Sequence, residues 1–135
     1  MASIFSKIVK GEIPAYKVAE NEDFLAFLDI FPLAKGHTLV IPKKEIDYIF
    51  DIEDSMLGNY MVFAKKVAKA IEAVIPCERI GVAVVGLEVP HSHIHLIPIN
   101  NVDDINFAKP KLKLEDKEFE EIATKIKNKF REMYG

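Results

Sequence analysis

The run His91-Ser92-His93-Ile94-His95-Leu96-Ile97 constrains the chain more than any other stretch. Imidazoles alternate with other side chains and then give way to apolar residues. In an extended strand, side chains two apart share a face and lie about 6.6 Å from one another along the chain. The spacing therefore predicts a strand from His91 to Ile97 with His91, His93 and His95 on one side. Ile94 and Leu96 then point to the other side and anchor the strand in a core, with Ser92 as a small polar exception. One face is expected to be wet and the other dry.

The rest of the chain supplies a domain for that strand. Ser3 before Ile4, Phe5, Ile8 and Val9, with Gly11 following, reads as a short helix with an N-cap and a glycine stop. Tyr16–Glu20 and Phe24–Leu28 flank Asn21-Glu22-Asp23 and predict a hairpin. After Gly36, the β-rich run His37–Ile41 ends at Pro42, which puts His37 at a strand start. From Glu53 to Ala73 the residues Leu57, Tyr60, Met61, Ala64, Val67, Ala68 and Ile71 repeat at helical spacing, and Pro76 ends that helix. Ile80–Val85 reads as a central strand pairing with the histidine strand across the bend at 86–90. Phe119, Ile122, Ala123, Ile126, Phe130 and Met133 mark a last helix, with acids near its start and bases later, as the helix dipole favours. The expectation is an α+β domain spanning residues 1–135: about five mostly antiparallel strands, two main helices and a short N-terminal one. Residues 100–135 form a C-terminal extension containing a helix.

Composition narrows the classes of function. With 135 residues, 50% hydrophobic and 29% charged, the chain can bury a core without disulfides or metal. No segment approaches the ~20 apolar residues of a membrane span. The first residues, from Met1 to Lys7, lack the basic and apolar pattern of a signal peptide, and Cys77 is the only cysteine, so a cytoplasmic setting is expected. A net charge of -3 gives no general attraction to nucleic acid, so an anionic small ligand would need local positive groups.

Imidazole is largely unprotonated near neutral pH yet easily charged, so a cluster can divide the work of nucleophile, hydrogen-bond donor and proton carrier. Three of the four histidines fall within five residues, which disfavours a purely structural reading. The spacing also admits a metal site, because neutral imidazoles at i and i+2 can both ligate zinc. Against this, the strand supplies no carboxylate, and the nearest, Glu88, lies across a bend.

Taken together, His91-Ser92-His93-Ile94-His95-Leu96-Ile97-Pro98, Lys10-Gly11-Glu12-Ile13-Pro14, Phe27-Leu28-Asp29-Ile30 and Gly36-His37-Thr38-Leu39-Val40-Ile41-Pro42-Lys43 resemble the histidine-triad (HIT) family, most closely its Hint-like branch. The likeness runs over roughly residues 3–98, with Ser92 where an apolar residue is usual. It implies a HIT-like fold and a homodimer, with no cofactor. It also implies an enzyme in which the middle histidine, His93, attacks the α-phosphorus of a purine nucleotide to form a nucleotidyl-histidine. His95 and His37 would bond phosphate oxygens, and His91 would support ring orientation. Asp29 would hold the ribose hydroxyls, Phe27 and Ile30 would wall the base, and Glu88 would stand near the leaving group. Phosphoramidates are the expected substrates. Ap4A-type dinucleoside polyphosphate hydrolysis and a binding module with little catalysis are the alternatives. The stretch 84–90 departs from the family pattern, with Leu87 in place of a usual Gln. Many relatives also hold a structural zinc through Cys-x-x-Cys and a later histidine. This chain has Ser3, Ser6 and Glu45 there, so no metal is expected.

Overall fold

The computed structural model describes residues 2–135, so Met1 lies outside the described residues. The chain runs α1 (Ile4–Val9), β1 (Lys17–Glu20), β2 (Phe24–Leu28), β3 (Thr38–Pro42), α2 (Asp54–Val74), β4 (Arg79–Ala83), β5 (Ile94–Ile99) and α3 (Asp116–Tyr134), with single 3₁₀ turns at Ile49–Asp51 and Val102–Ile105. The strands form one five-stranded sheet in the order β1-β2-β3-β5-β4, every neighbouring pair antiparallel. The α+β expectation holds, and the sheet is wholly rather than mostly antiparallel. Among the described residues no helix is long and apolar enough to cross a membrane.

Local chemistry sets the connections. Ser3 caps α1 by accepting from the Ser6 N–H, and Gly11, at φ +79°, turns the chain out of it. In the β1–β2 hairpin, Asn21 Oδ1 accepts from the N–H groups of Asp23 and Phe24 at 2.9 and 2.8 Å, an Asx turn that closes the loop. Gly36 adopts φ +90°, a conformation that favours glycine, in the turn that delivers His37 to the start of β3.

The continuous apolar runs of β2 and β3 are buried on both sides, and the alternation of side chains divides them between two cores. Phe24, Ala26, Leu28, Val40, Ile94 and Leu96 meet α2 and α3. Leu25, Phe27, Leu39 and Ile41 face the other way, where Phe5 and Ile8 of α1 cover them. At the centre of the larger core, Tyr60 stacks on Phe24 with ring centroids 5.3 Å apart and donates its hydroxyl to the Val40 carbonyl at 2.7 Å.

Three expectations need correction. The ladder of the histidine strand begins at Ile94 rather than His91, and its partner β4 is an edge strand rather than a central one, pairing on one side only and ending at Ala83, opposite His95, rather than at Val85. The segment from His91 to His93 is held by other bonds: the Ser92 N–H donates to the Ile46 carbonyl at 2.7 Å, and the Ser92 hydroxyl lies 3.3 Å from Tyr60 Oη. That position explains the small polar residue at 92. Secondly, the histidine face is not wet. His91, His93 and His95 are 0, 7 and 8% exposed, because α1 and neighbouring loops fold over it. Thirdly, the stripe of α2 is rotated from the one expected. Phe63 and Ala70 are buried with Tyr60, Ala64, Val67 and Ile71, while Met61 is exposed. The cause is α3, whose Phe130 packs on Phe63. Phe119, Ile122, Ala123 and Ile126 of α3 belong to the same core, so the C-terminal segment is integral to it.

This rotation predicts opposite outcomes for two neighbours on α2. Phe63→Ala should lower stability by about 3–5 kcal/mol, whereas Met61→Ala should change it by less than ~0.5 kcal/mol. Urea unfolding of both variants checks the assignment.

Candidate active site

The site forms where the ends of β2, β3 and β5 bring short polar segments together. Leu28 pairs with Thr38, so Asp29 and His37 lie opposite one another just beyond the ladder, joined by the Asp29 N–H to His37 carbonyl bond at 3.0 Å. Leu39 pairs with His95, placing His95 on the same face one row further in. Three of the four histidines, His37, His95 and His93, thereby become a continuous group of rings, and His91 joins them through its carbonyl. His37 lies 5.2 Å from His95 between centroids, and His95 lies 5.0 Å from His93.

Hydrogen bonds define which nitrogen of each neutral ring carries its proton. Leu33 donates its N–H to His37 Nδ1 at 3.0 Å, so His37 is protonated at Nε2. That N–H lies 2.9 Å from His95 Nδ1, which must accept, leaving the His95 proton on Nε2. His93 donates from Nδ1 to the His91 carbonyl at 2.8 Å, so its lone pair is on Nε2. His91 donates from Nε2 to the Pro42 carbonyl at 2.7 Å and accepts at Nδ1 from the Ser3 hydroxyl at 2.8 Å. Among the described residues no buried side-chain nitrogen or oxygen lacks a partner. The Nε2 atoms of His93 and His95 have no protein partner, so both reach solvent. A nucleophilic lone pair and a hydrogen-bond donor therefore open onto the same space.

Asp29 stands at the edge of that space. Its Oδ1 accepts from the Phe31 N–H at 2.9 Å and its Oδ2 lies 3.5 Å from His37 Nε2. Burial raises its pKa, partly offset by the Phe31 N–H and by the neighbouring His93 and Lys111. The ligand atoms of Asp29, His37 and His95 lie within 4.8 Å of one another, close enough to surround a cation. The bond from His37 to His95 already accounts for much of that grouping.

The other expected residues separate. Phe27 is buried and packs edge-on against Phe5 at 5.6 Å, while Phe5 in turn meets His93 at 5.1 Å. Ile30 is 55% exposed beside Asp29. Glu88 is exposed in the loop before Pro90, and its charge raises the Asp29 pKa, which puts it on the same rim; Leu87 beside it is also exposed. An open cavity of about 540 Å³, lined by Tyr16, Asp116, Glu120 and Lys127 among others, contains none of the histidines. Chemistry rather than size locates the site.

Two contributors were not visible as site residues in the sequence. Phe107 sets its ring edge-on to His95 at 4.8 Å and to His37 at 6.5 Å. Lys111 folds its ammonium back onto the carbonyls of Phe107 and Lys109 at 2.5 and 3.0 Å, and its charge lowers the pKa of both Asp29 and His37. Both follow β5 in a segment tied across the sheet end by the Leu112 N–H to Pro32 carbonyl bond at 2.8 Å. No periodicity or motif marks them; only the return of the chain over the site does.

Ser3, Ser6 and Glu45, the residues that the resemblance sets at a zinc-binding pattern, also converge. Ser3 and Ser6 each bond to Glu45 and lie within hydrogen-bond distance of His91 Nδ1, and the two hydroxyls are engaged in these hydrogen bonds. Neutral hydroxyls do not replace thiolates as zinc donors, so this set does not fit the metal.

Burial is the first cause pushing the pKa values of His37, His91 and His95 below the ordinary 6.5. As pH falls below that value, the unfolded chain takes up protons that the folded chain refuses, so stability is greatest above it and declines beneath it. The urea midpoint should fall from pH 7 to pH 5, with each histidine contributing up to about 1.4 kcal/mol per pH unit. His37→Asn should flatten the decline, and an unchanged slope would show that His37 is protonated within the folded protein.

Comparison with known proteins agrees with this geometry. The model of the HIT domain matches residues 10–102. The adenosine 5'-monophosphoramidase of Schizosaccharomyces pombe is 39% identical, covering 94% of this chain and 100% of that protein. Among solved structures, a HIT-like protein of Bartonella henselae superposes with a TM-score of 0.81 at 32% identity, covering 94% of this chain and 95% of that one. A zinc-bound histidine triad protein of Mycobacterium smegmatis gives a TM-score of 0.83 at 27% identity, covering 98 and 96%. The alternating imidazoles, the sheet that carries them and the matched residues together make this chain a member of the HIT domain family.

Proposed function

We propose that this HIT-family nucleotide hydrolase acts on purine nucleoside phosphoramidates through a covalent intermediate on His93. The observation that carries the reading is the pair of solvent-reaching Nε2 atoms. His93 offers a lone pair there because its Nδ1–H is committed to the His91 carbonyl, and neighbouring His95 offers an N–H.

The chemistry follows from that arrangement. His93 Nε2 attacks the α-phosphorus as the P–N bond to the leaving amine breaks, and the amine departs with a proton taken from solvent. Water then cleaves the new P–N bond to His93, releasing the nucleoside monophosphate and restoring the ring. Dividing the displacement in two suits an imidazole, which is both nucleophile and leaving group. The His95 N–H is placed to donate to a phosphate oxygen as negative charge builds there, and the Lys111 ammonium adds positive potential nearby. Asp29 Oδ2, at the rim, suits the ribose hydroxyls. The relatives named adenosine 5'-monophosphoramidase, from Schizosaccharomyces pombe and from Saccharomyces cerevisiae, favour an amine over a phosphate leaving group.

The same reading includes a homodimer joined along β4. That strand is a sheet edge with Val82 54% exposed, and Val84 and Val85 beyond it are also exposed. By contrast, the opposite edge, β1, is packed by α3. An open strand edge is a pairing surface that proteins ordinarily cover.

His93→Ala should reduce kcat/KM for adenosine 5'-phosphoramidate by about 10⁴-fold or more, and an acid-sparing quench of the unmodified protein should trap adenylylated His93 by mass spectrometry. Retained turnover in the variant would rule the mechanism out. Turnover of diadenosine tetraphosphate with the higher kcat/KM would transfer the assignment to polyphosphate hydrolysis. Sedimentation should give about 31 kDa, twice the 15.3 kDa chain.

A further inference from the structure

The cluster that does not fit zinc has a complete bonding pattern of its own. The exposed Glu45 uses one oxygen, Oε1, to accept from the Ser3 N–H at 2.6 Å and from the Ser6 hydroxyl at 2.7 Å. The Ser3 oxygen accepts the Ser6 N–H at 3.0 Å, leaving its own proton for His91 Nδ1 at 2.8 Å. His91 passes the constraint on from its far side, where Nε2–H is fixed on the Pro42 carbonyl at 2.7 Å. Its ring is fully buried and edge-on to Phe5 at 5.9 Å. With both ring nitrogens engaged, the His91 backbone is held in place, and its carbonyl accepts the Nδ1–H of His93 at 2.8 Å.

We propose that Ser3, Ser6 and Glu45 are positioning residues forming a metal-free clamp that fixes His91 and, through its carbonyl, holds His93 with its lone pair on Nε2. The inference rests on the reading of His93 as nucleophile, but the clamp is a statement about tautomers that holds with or without substrate.

The direction of donation makes the clamp specific. A hydroxyl at Ser3 donates to Nδ1, whereas a carboxylate there would accept and pull the His91 proton onto the wrong nitrogen. Such a swap leaves the Pro42 carbonyl without its donor unless the buried ring becomes cationic, which burial opposes. Glu45 stays outside that conflict because its hydrogen bonds go to the serines and not to His91. Its carboxyl is held down to about 2, first by the Ser3 N–H and then by the Ser6 hydroxyl.

Loss of one hydroxyl should therefore loosen the nucleophile without altering the substrate contacts. In Ser3→Ala, imidazole nitrogen-15 NMR should show His91 and His93 moving from single tautomers to mixtures. For adenosine 5'-phosphoramidate, kcat should fall about tenfold with KM within twofold, a size usual for partners that orient a reactive group. Ser3→Thr keeps the hydroxyl and should restore both signals. Ser3 also caps α1, so Glu45→Ala, with Glu45→Gln as its conservative partner, repeats the measurement without touching the cap. Folded Ser3→Ala and Glu45→Ala proteins with unchanged tautomer signals and kcat would overturn the clamp, as would stoichiometric zinc in purified protein that perturbs the His91 resonances. Altered tautomers in a protein without phosphoramidase activity would instead leave the clamp standing and remove the substrate assignment.

Discussion

A buried imidazole is tolerable when it is uncharged and its ring N–H has an acceptor, and four of them within one small site must meet that condition together. Much of the architecture around β5 answers that requirement. The Pro42 carbonyl serves His91, the His91 carbonyl serves His93, and His95 Nδ1 serves His37. Leu33 and Ser3 supply the donors that decide which nitrogen remains free. Because each partner comes from a different segment, the α1 start, the approach to β3 and the loop after β3 are committed to particular positions. This pattern leaves two nitrogens open, His93 Nε2 and His95 Nε2, and it is there that the proposed function puts the chemistry.

The two cores support the pattern from opposite sides of the sheet. Helices α2 and α3 press on Ile94 and Leu96, while Phe5 and Phe27 fill the space behind the histidines. Phe5 meets both His91 and His93 edge-on. The small N-terminal helix thus does two jobs, excluding water from the rings and bringing Ser3 and Ser6 to His91. Hydrogen bonds among serine, glutamate and histidine tie this corner together.

Much of the fold was legible because its cues are local. Serine before an apolar turn, asparagine in the hairpin loop, glycine before His37 and helical spacing along α2 and α3 each act within a few residues. Errors arose where a partner from elsewhere decided the outcome. Met61 and Phe63 are similar in apolar character, and only the approach of α3 selects Phe63 for burial. Alternation predicts a strand from His91, yet Ser92 bonds to Ile46 instead of joining the ladder. Alternation predicts a wet histidine face, and nothing near the triad announces that α1 will cover it.

By itself the sequence determined that His91, His93 and His95 would lie along one extended stretch, that His37 would stand at a strand start, and that the chain resembled the HIT family. Those conclusions depend on residue type and spacing, which covalent geometry translates directly into direction. Only the tertiary structure decided which nitrogen of each ring is free, that Phe107 and Lys111 come back over His95 and Asp29, and that Ser3, Ser6 and Glu45 close on His91. The physical reason is that a tautomer is set by its hydrogen-bond partner, and these partners lie up to 88 positions away in the chain.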